Sequence, residues 1–231
     1  AKKIKPQVIS QAFLIMDGFN RNKEISRIEN VEENNVALYQ ELGYDCQCKS
    51  YDYLCLRDKL TDLKGNPFKP KRSSYNYFIK NHSFQYLPYD PKYKNACLRL
   101  YLLWGRQRKE KNSDVVYQGM IEDSRISLEV FLKAYPKLDS LARVVIIGAE
   151  VKAFTCGFRL NKDTFCILYE ITDLSIKGLS QFIFRQFCRE LKEYRYINIM
   201  DDSGLANLKK VKLSYRPERL IPAYIVKRNY A

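Results

Sequence analysis

From residue 143 onward the hydrophobic positions fall into short runs separated by turn residues. RVVII (143–147) closes on Gly148, VKAFTCGFRL (151–160) closes on Asn161, Lys162 and Asp163, and TFCILYEI (164–171) follows. That spacing predicts three strands in an antiparallel meander. On the third strand, alternation puts Glu170 with Cys166 and Leu168 on the face opposite Phe165, Ile167 and Tyr169. The pattern then changes to a helical period over 179–192, where Phe182, Ile183, Phe187 and Leu191 recur. YINIM (196–200) reads as a short buried strand. Ser203 is placed to cap a helix over 205–215, Pro217 stops it, and LIPAYIV (220–226) is a last strand that Pro222 marks as an edge or a bulge.

Upstream, 84–87 predicts a strand, and 91–109 with 115–134 predict two helices. The opening segment alternates as helix 6–20, strand 25–31, helix 35–42 ended by Gly43, and strand 45–56.

Three strands, a helix, a buried strand, a helix and a final strand resemble the order of the GNAT acyltransferase core. The resemblance implies a mixed α/β (α+β) fold whose sheet splays between its fourth and fifth strands, with the acyl donor in that opening. A complete GNAT-like domain is expected over 58–231. Residues 1–57 resemble the closing half of a second such core, and with Ala rather than Met at position 1 the chain is expected to be part of a longer tandem protein.

Charge changes this picture by locating a partner surface. The 231 residues carry a formal net charge of +14, and residues 64–112 hold +10 of it; residues 1–63 carry −1, 113–200 carry +1 and 201–231 carry +4. Concentrated cations of this kind suit a polyanion, such as tRNA, another nucleic acid or an anionic membrane surface. The seven cysteines include no CxxC and the only histidine is His82, so zinc and disulfide frameworks lack their spacing; Cys156, Cys166 and Cys188 read as small core residues. Neither a membrane span nor a signal peptide is legible, which predicts a soluble intracellular protein, at most peripheral on the inner face of the membrane.

The run DYLCLRDKLTDLKGNPFKPKRSSYNYFIKNH (52–82) resembles the signature of proteins related to the C-terminal domain of phosphatidylglycerol lysyltransferase. VKAFTCGFRLNKDTF, ITDLSIKGLSQ, YINIMDDSGL and LKKVKLSYRPERLIPAY continue the resemblance in the same order, from residue 25 to the end. It implies a tandem GNAT-like fold that takes an aminoacyl group from aminoacyl-tRNA, with no nucleotide cofactor and no metal, and often passes it to the headgroup of phosphatidylglycerol. Two departures stand out. There is no membrane-spanning flippase region, and the stretch Tyr169 to Asp173 lacks the Arg that follows the family's acidic motif.

An acetyl-CoA site needs a glycine-rich turn at a helix N-terminus. Here the turn LSIKGLS (174–180) has one glycine where Q/R-x-x-G-x-G/A has two, so acetyl-CoA is disfavoured. Aminoacyl transfer instead needs an ammonium site, oxyanion donors and a proton acceptor. The strand ends of a splayed sheet offer Glu170 and Asp173 as catalytic carboxylates and Asn198 and Asp201 as substrate-binding groups, with Asp202 beside them. Glu170 is expected to be desolvated and suited to holding an ammonium or accepting a proton. The resemblance places Lys212, Tyr215 and Arg216 near the transferred ester, Tyr215 as a proton donor, while Lys177 could meet a tRNA phosphate. Lys69, Lys71, Arg72 and Asn76, interleaved with tyrosines in a segment helical from Ser73, are the candidate tRNA contacts. Two other readings remain open: an RNA- or membrane-binding module without catalysis, and a CoA-dependent N-acyltransferase.

Overall fold

The computed structural model describes residues 5–110 and 114–229; Lys111 and Asn112, at the end of the basic segment, lie outside them. Along the chain run α1 (Pro6–Phe19), β1 (Arg27–Glu32), α2 (Glu33–Glu41), β2 (Tyr44–Leu56), α3 (Arg57–Asp62) and α4 (Lys69–Asn81). Then come β3 (Gln85–Pro88), α5 (Lys94–Lys109), α6 (Val115–Ala134), β4 (Ser140–Ile147), β5 (Glu150–Arg159) and β6 (Thr164–Thr172). The chain finishes with α7 (Leu179–Glu190), β7 (Tyr196–Asn198), α8 (Ala206–Leu213) and β8 (Arg219–Arg228).

The chain divides into two compact units. One comprises residues 1–53, 201–210 and 219–231, the other 54–200 and 211–218. Compared with the division expected at residue 57, residues 201–210 and 219–231 return to the first unit.

In the first unit β1 pairs antiparallel with β8. Ile9 and Phe13 of α1 pack with Val31, Tyr39 and Val226, and Phe13 stacks on Tyr44 at 5.1 Å between ring centroids. The expectation that β8 is an edge strand is corrected: it lies between β1 and β2. Pro222 is tolerated because the pairing with β1 begins at Ala223, and the bulge sits in β1, between Ile28 and Val31, where Asn30 has φ +57°. Ser203 is not a helix cap either. It has φ +52°, and its hydroxyl and backbone N–H turn to Asp201 Oδ1 at 3.5 and 3.2 Å.

The second unit is built on the end of β2 (residues 54–56) followed by the strands β7-β6-β5-β4-β3. Both faces are covered, which explains the near-continuous apolar runs. On one face α5 and α6 bury Leu100, Tyr101, Leu128 and Leu132 against Val144, Phe154 and Cys156. On the other, Phe78 of α4 and Leu179, Phe182 and Ile183 of α7 cover Val145 and Ala153. Fully burying a side chain of this size contributes roughly 1.5–3 kcal/mol. The helix expected from Ser73 starts earlier, at Lys69, and the short α3, which the sequence pattern did not predict, precedes it. No helix among the described residues is long and apolar enough to cross a membrane.

Candidate active site

The parallel pairing of β6 with β7 runs only from Thr164↔Tyr196 to Cys166↔Asn198. Beyond that point β7 ends, while β6 continues to Thr172 paired with β5 alone. The sheet therefore opens at the C-terminal ends of these two strands, as expected from the sequence order. Asn198 marks the parting. It is buried, and its Oδ1 accepts the Met200 N–H at 2.6 Å, holding Met200 at φ +59°.

Glu170 lies on the freed part of β6, but not on the face that simple alternation predicts. The β5/β6 register shifts between Cys156↔Tyr169 and Gly157↔Ile167, so Leu168 is an extra residue in β6. Past the bulge the faces exchange. Phe165 meets Phe187 of α7 at 5.7 Å between ring centroids, and Glu170 Oε1 accepts the Ser180 hydroxyl of the same helix at 2.9 Å. Both thus face α7, while Tyr169 turns to the other face and donates from its hydroxyl to the Ser124 carbonyl at 3.1 Å.

Around Glu170 the unit gathers Lys71 from α4, Lys212 from the last turn of α8 and Tyr215 just beyond it. Burial pushes the Glu170 carboxyl up to about 7, against the pull of the Ser180 hydrogen bond and of the Lys71 and Lys212 charges. Burial also lowers Lys71 to about 8, although Glu170 favours its charge. Lys71 Nζ sits 3.5 Å from the centroid of the Tyr215 ring, and Phe184 packs against that ring at 4.5 Å. Lys212 donates to the Ile199 carbonyl. Tyr215 is buried, and its pKa is held well above the ordinary tyrosine value by burial and by Glu170, so its ring stays neutral beneath the Lys71 ammonium. Burial likewise raises the Cys55 thiol to about 12 and the Cys188 thiol well above its usual range, so both neighbours stay protonated.

The other candidates are placed elsewhere. Asp173 is a buried hub: Oδ1 accepts the Ser175 N–H, the Ser175 hydroxyl and Gln107 at 3.1, 2.6 and 3.1 Å, and Oδ2 takes Lys152 at 3.3 Å. Burial pushes its carboxyl upward, but these donors outweigh burial and hold it below the ordinary aspartate value. Arg72 spends its guanidinium on the Leu63 and Gly65 carbonyls, bracing a turn in which Leu63 has φ +53°. Lys69, Asn76 and Lys177 are exposed, with Lys177 Nζ 4.5 Å from the Tyr77 ring centroid. Arg216 is exposed and ends the α8 segment at φ +54°, its N–H donating to the Leu213 carbonyl at 3.0 Å. Asp201 and Asp202 belong to the first unit; Asp202 accepts the Tyr53 hydroxyl and the Gly204 N–H. Sequence reasoning missed Ser180 as the partner of Glu170, because its signal, a hydroxyl ten residues on, depends on how α7 returns to the sheet.

The turn before α7 has a second role. Gly178 has φ +84°, and a Cβ there would meet the Ser74 carbonyl oxygen at 2.1 Å and Phe78 Cβ at 3.0 Å. The single glycine therefore lets α4 lie directly against the N-terminus of α7, the helix end that would cradle a pyrophosphate. No group of three or more His, Cys, Asp or Glu residues among the described residues is placed to hold a metal ion.

A sheet that parts between β6 and β7 is the arrangement of a GNAT-like fold. Residues 16–227 match the family of the phosphatidylglycerol lysyltransferase C-terminal region. The chain belongs to this family. Among solved structures it is similar to the Bacillus licheniformis L-PGS, with a TM-score of 0.65 and 18% identity over 98% of this chain and 74% of that one. It is also similar to a conserved Bacteroides thetaiotaomicron protein of unknown function, with a TM-score of 0.78 and 26% identity over 95% of this chain and 74% of that one. A Mycoplasmoides gallisepticum protein, itself uncharacterized, is 26% identical over 187 residues, 77% of this chain and 56% of the relative. The chain thus spans little more than half the length of that curated relative. As a family member it shares the GNAT-like fold of these solved structures.

Proposed function

We propose that this chain moves an aminoacyl group from aminoacyl-tRNA to a hydroxyl of a lipid headgroup, with the glycerol of phosphatidylglycerol as the acceptor. The observation that carries this reading is the cluster of Glu170, Lys71 and Lys212 at the opening between β6 and β7. A carboxylate with a pKa of about 7 is poised to take and return a proton near neutrality. The acceptor O–H attacks the ester carbonyl as Glu170 accepts its proton. The tetrahedral oxyanion is stabilised by the Lys71 and Lys212 ammonium groups. Collapse breaks the bond to the terminal ribose oxygen, which takes the proton back from Glu170. Nothing in this sequence of bond changes calls for a metal or a nucleotide cofactor.

Family membership supports the lipid acceptor, which would hold the chain peripherally at the anionic inner face of a membrane. The contact of α4 with the start of α7 supports a donor other than acetyl-CoA, because backbone and side-chain atoms of α4 approach the glycine that a pyrophosphate would need. The test is incubation with tRNAs charged with radiolabelled amino acids and vesicles of phosphatidylglycerol. Label is expected in the lipid phase, with Glu170→Gln losing most of the rate. Label that stays on the tRNA with every amino acid and acceptor overturns the reading, as does tight binding of acetyl-CoA without RNA.

A further inference from the structure

The second unit carries an open cleft of about 620 Å³ lined by Arg57, Asp58, Thr61 and Asp62 of α3, Lys64, Arg185 and Arg189 of α7, and Lys192. A second recess of about 490 Å³ shares Arg57, Asp58 and Lys192 and adds Leu56, Lys59, Glu193, Tyr194 and Arg195. Cations outnumber carboxylates along this surface, and the two arginines of α7 are placed together. Arg185 lies 4.4 Å and Arg189 5.5 Å from the centroid of the same ring, Tyr75. Their hydrogen bonds go to neutral acceptors: Arg185 donates to the Thr61 and Asp62 carbonyls at 2.7 and 3.3 Å, and Arg189 to the Tyr75 hydroxyl at 2.9 Å. Two like charges fixed on one ring and bonded to neutral groups are a seat for an external anion.

We infer that this cleft binds successive phosphates of an RNA strand. Its concave form favours RNA over a membrane, since a sugar–phosphate backbone enters a cleft that a bilayer plane only spans. The lining is mostly charged, and Leu56 and Tyr194 are too few large apolar side chains to anchor acyl chains. The cleft also lies on the helix that touches the reaction centre. From Ser180, which bonds to Glu170, Arg185 and Arg189 are about 8 and 14 Å along the α7 axis. They stand about 140° and 180° around the helix from Ser180, so a strand held there by its phosphates has to pass around α7 to bring an esterified end to Glu170. This delivery role rests on the proposed transfer; the binding of RNA does not.

The test uses the full chain with a labelled single-stranded RNA oligonucleotide, titrated at several salt concentrations. Lys64→Gln with Lys192→Gln, both at exposed positions, is expected to lower affinity about tenfold at low salt and to reduce the salt slope by about 1.4. Arg189→Gln is expected to add to both effects. A control with Lys137→Gln and Lys162→Gln, exposed and outside the cleft, is expected to change neither. Equal losses in the control, or unchanged binding in the cleft variants, overturn the inference. So does retained RNA binding with lost binding to phosphatidylglycerol vesicles. If RNA binds through the cleft and no aminoacyl group is ever transferred, the cleft assignment stands and the transfer reading falls. If the cleft variants bind RNA more weakly but transfer at the wild-type kcat/KM, the delivery role falls, while RNA binding in the cleft and the transfer reading stand.

Discussion

Lys71 Nζ lies 3.5 Å above the Tyr215 ring, so the one cation of α4 that reaches the opening of the sheet rests on an aromatic face contributed by the far end of the chain. A desolvated contact of this type stabilises the ammonium by about 2 kcal/mol. The rate of transfer against pH is therefore expected to be bell-shaped. It rises as Glu170 ionises near 7 and falls as Lys71 loses its proton near 8. Tyr215→Leu removes the ring and is expected to draw the alkaline limb to lower pH, while Tyr215→Phe keeps the ring and leaves the limb in place. A large loss of rate in Tyr215→Phe would instead give the hydroxyl a chemical role.

The raised pKa of Glu170 is also a statement about stability. An acid whose folded pKa lies above its unfolded value favours the fold fully below the unfolded value, 4.5, and loses that contribution as pH rises through about 7. Glu170→Gln keeps a neutral oxygen for the Ser180 hydroxyl and removes the buried charge. It is expected to match the wild type in thermal unfolding at pH 4 and to exceed it by about 1–3 kcal/mol at pH 8. Equal stability at both values would show that the carboxylate is well solvated.

Asp173, a catalytic candidate by its sequence position, is bound by structural donors from three side chains and one backbone amide. Asp173→Ala leaves Gln107, Ser175 and Lys152 without their acceptor and is expected to cost about 2–3 kcal/mol in chemical denaturation. The pH profile of the transfer rate, measured on the folded fraction, is expected to stay that of the wild type. A displaced acidic limb would return Asp173 to the reaction.

Gly178→Ala tests the approach of α4 to α7. A Cβ 2.1 Å from the Ser74 carbonyl oxygen, at a residue with φ +84°, is expected to cost about 2–4 kcal/mol, read as a lowered melting temperature. If acetyl-CoA is nevertheless a ligand, moving α4 away would improve its binding, and an isothermal titration of the variant would detect it.

Hydrophobic period and turn residues made most elements legible, because each rests on local interactions: 164–171 against the observed Thr164–Thr172, or 6–20 against Pro6–Phe19. Helix α3 escaped because its six residues are too few to establish a period. The face of Glu170 was misread for a different reason. Alternation assumes an unbroken ladder, and the extra residue at Leu168 is visible only when β6 is laid against β5.

From the residues alone came the order of the GNAT-like core, the glycine-poor turn before residue 179, and Glu170 with Lys71 and Lys212 among the groups worth watching. Folding decided their fates. Lys71, Lys212 and Tyr215 were drawn to Glu170, Arg72 and Asp173 were committed to bracing loops, and the arginines of α7 were lined along a cleft that no motif had announced. Secondary structure answers to near neighbours, whereas a reactive cluster forms from segments far apart in the chain. Its burial, and hence its pKa values, exist only once those segments have closed on one another.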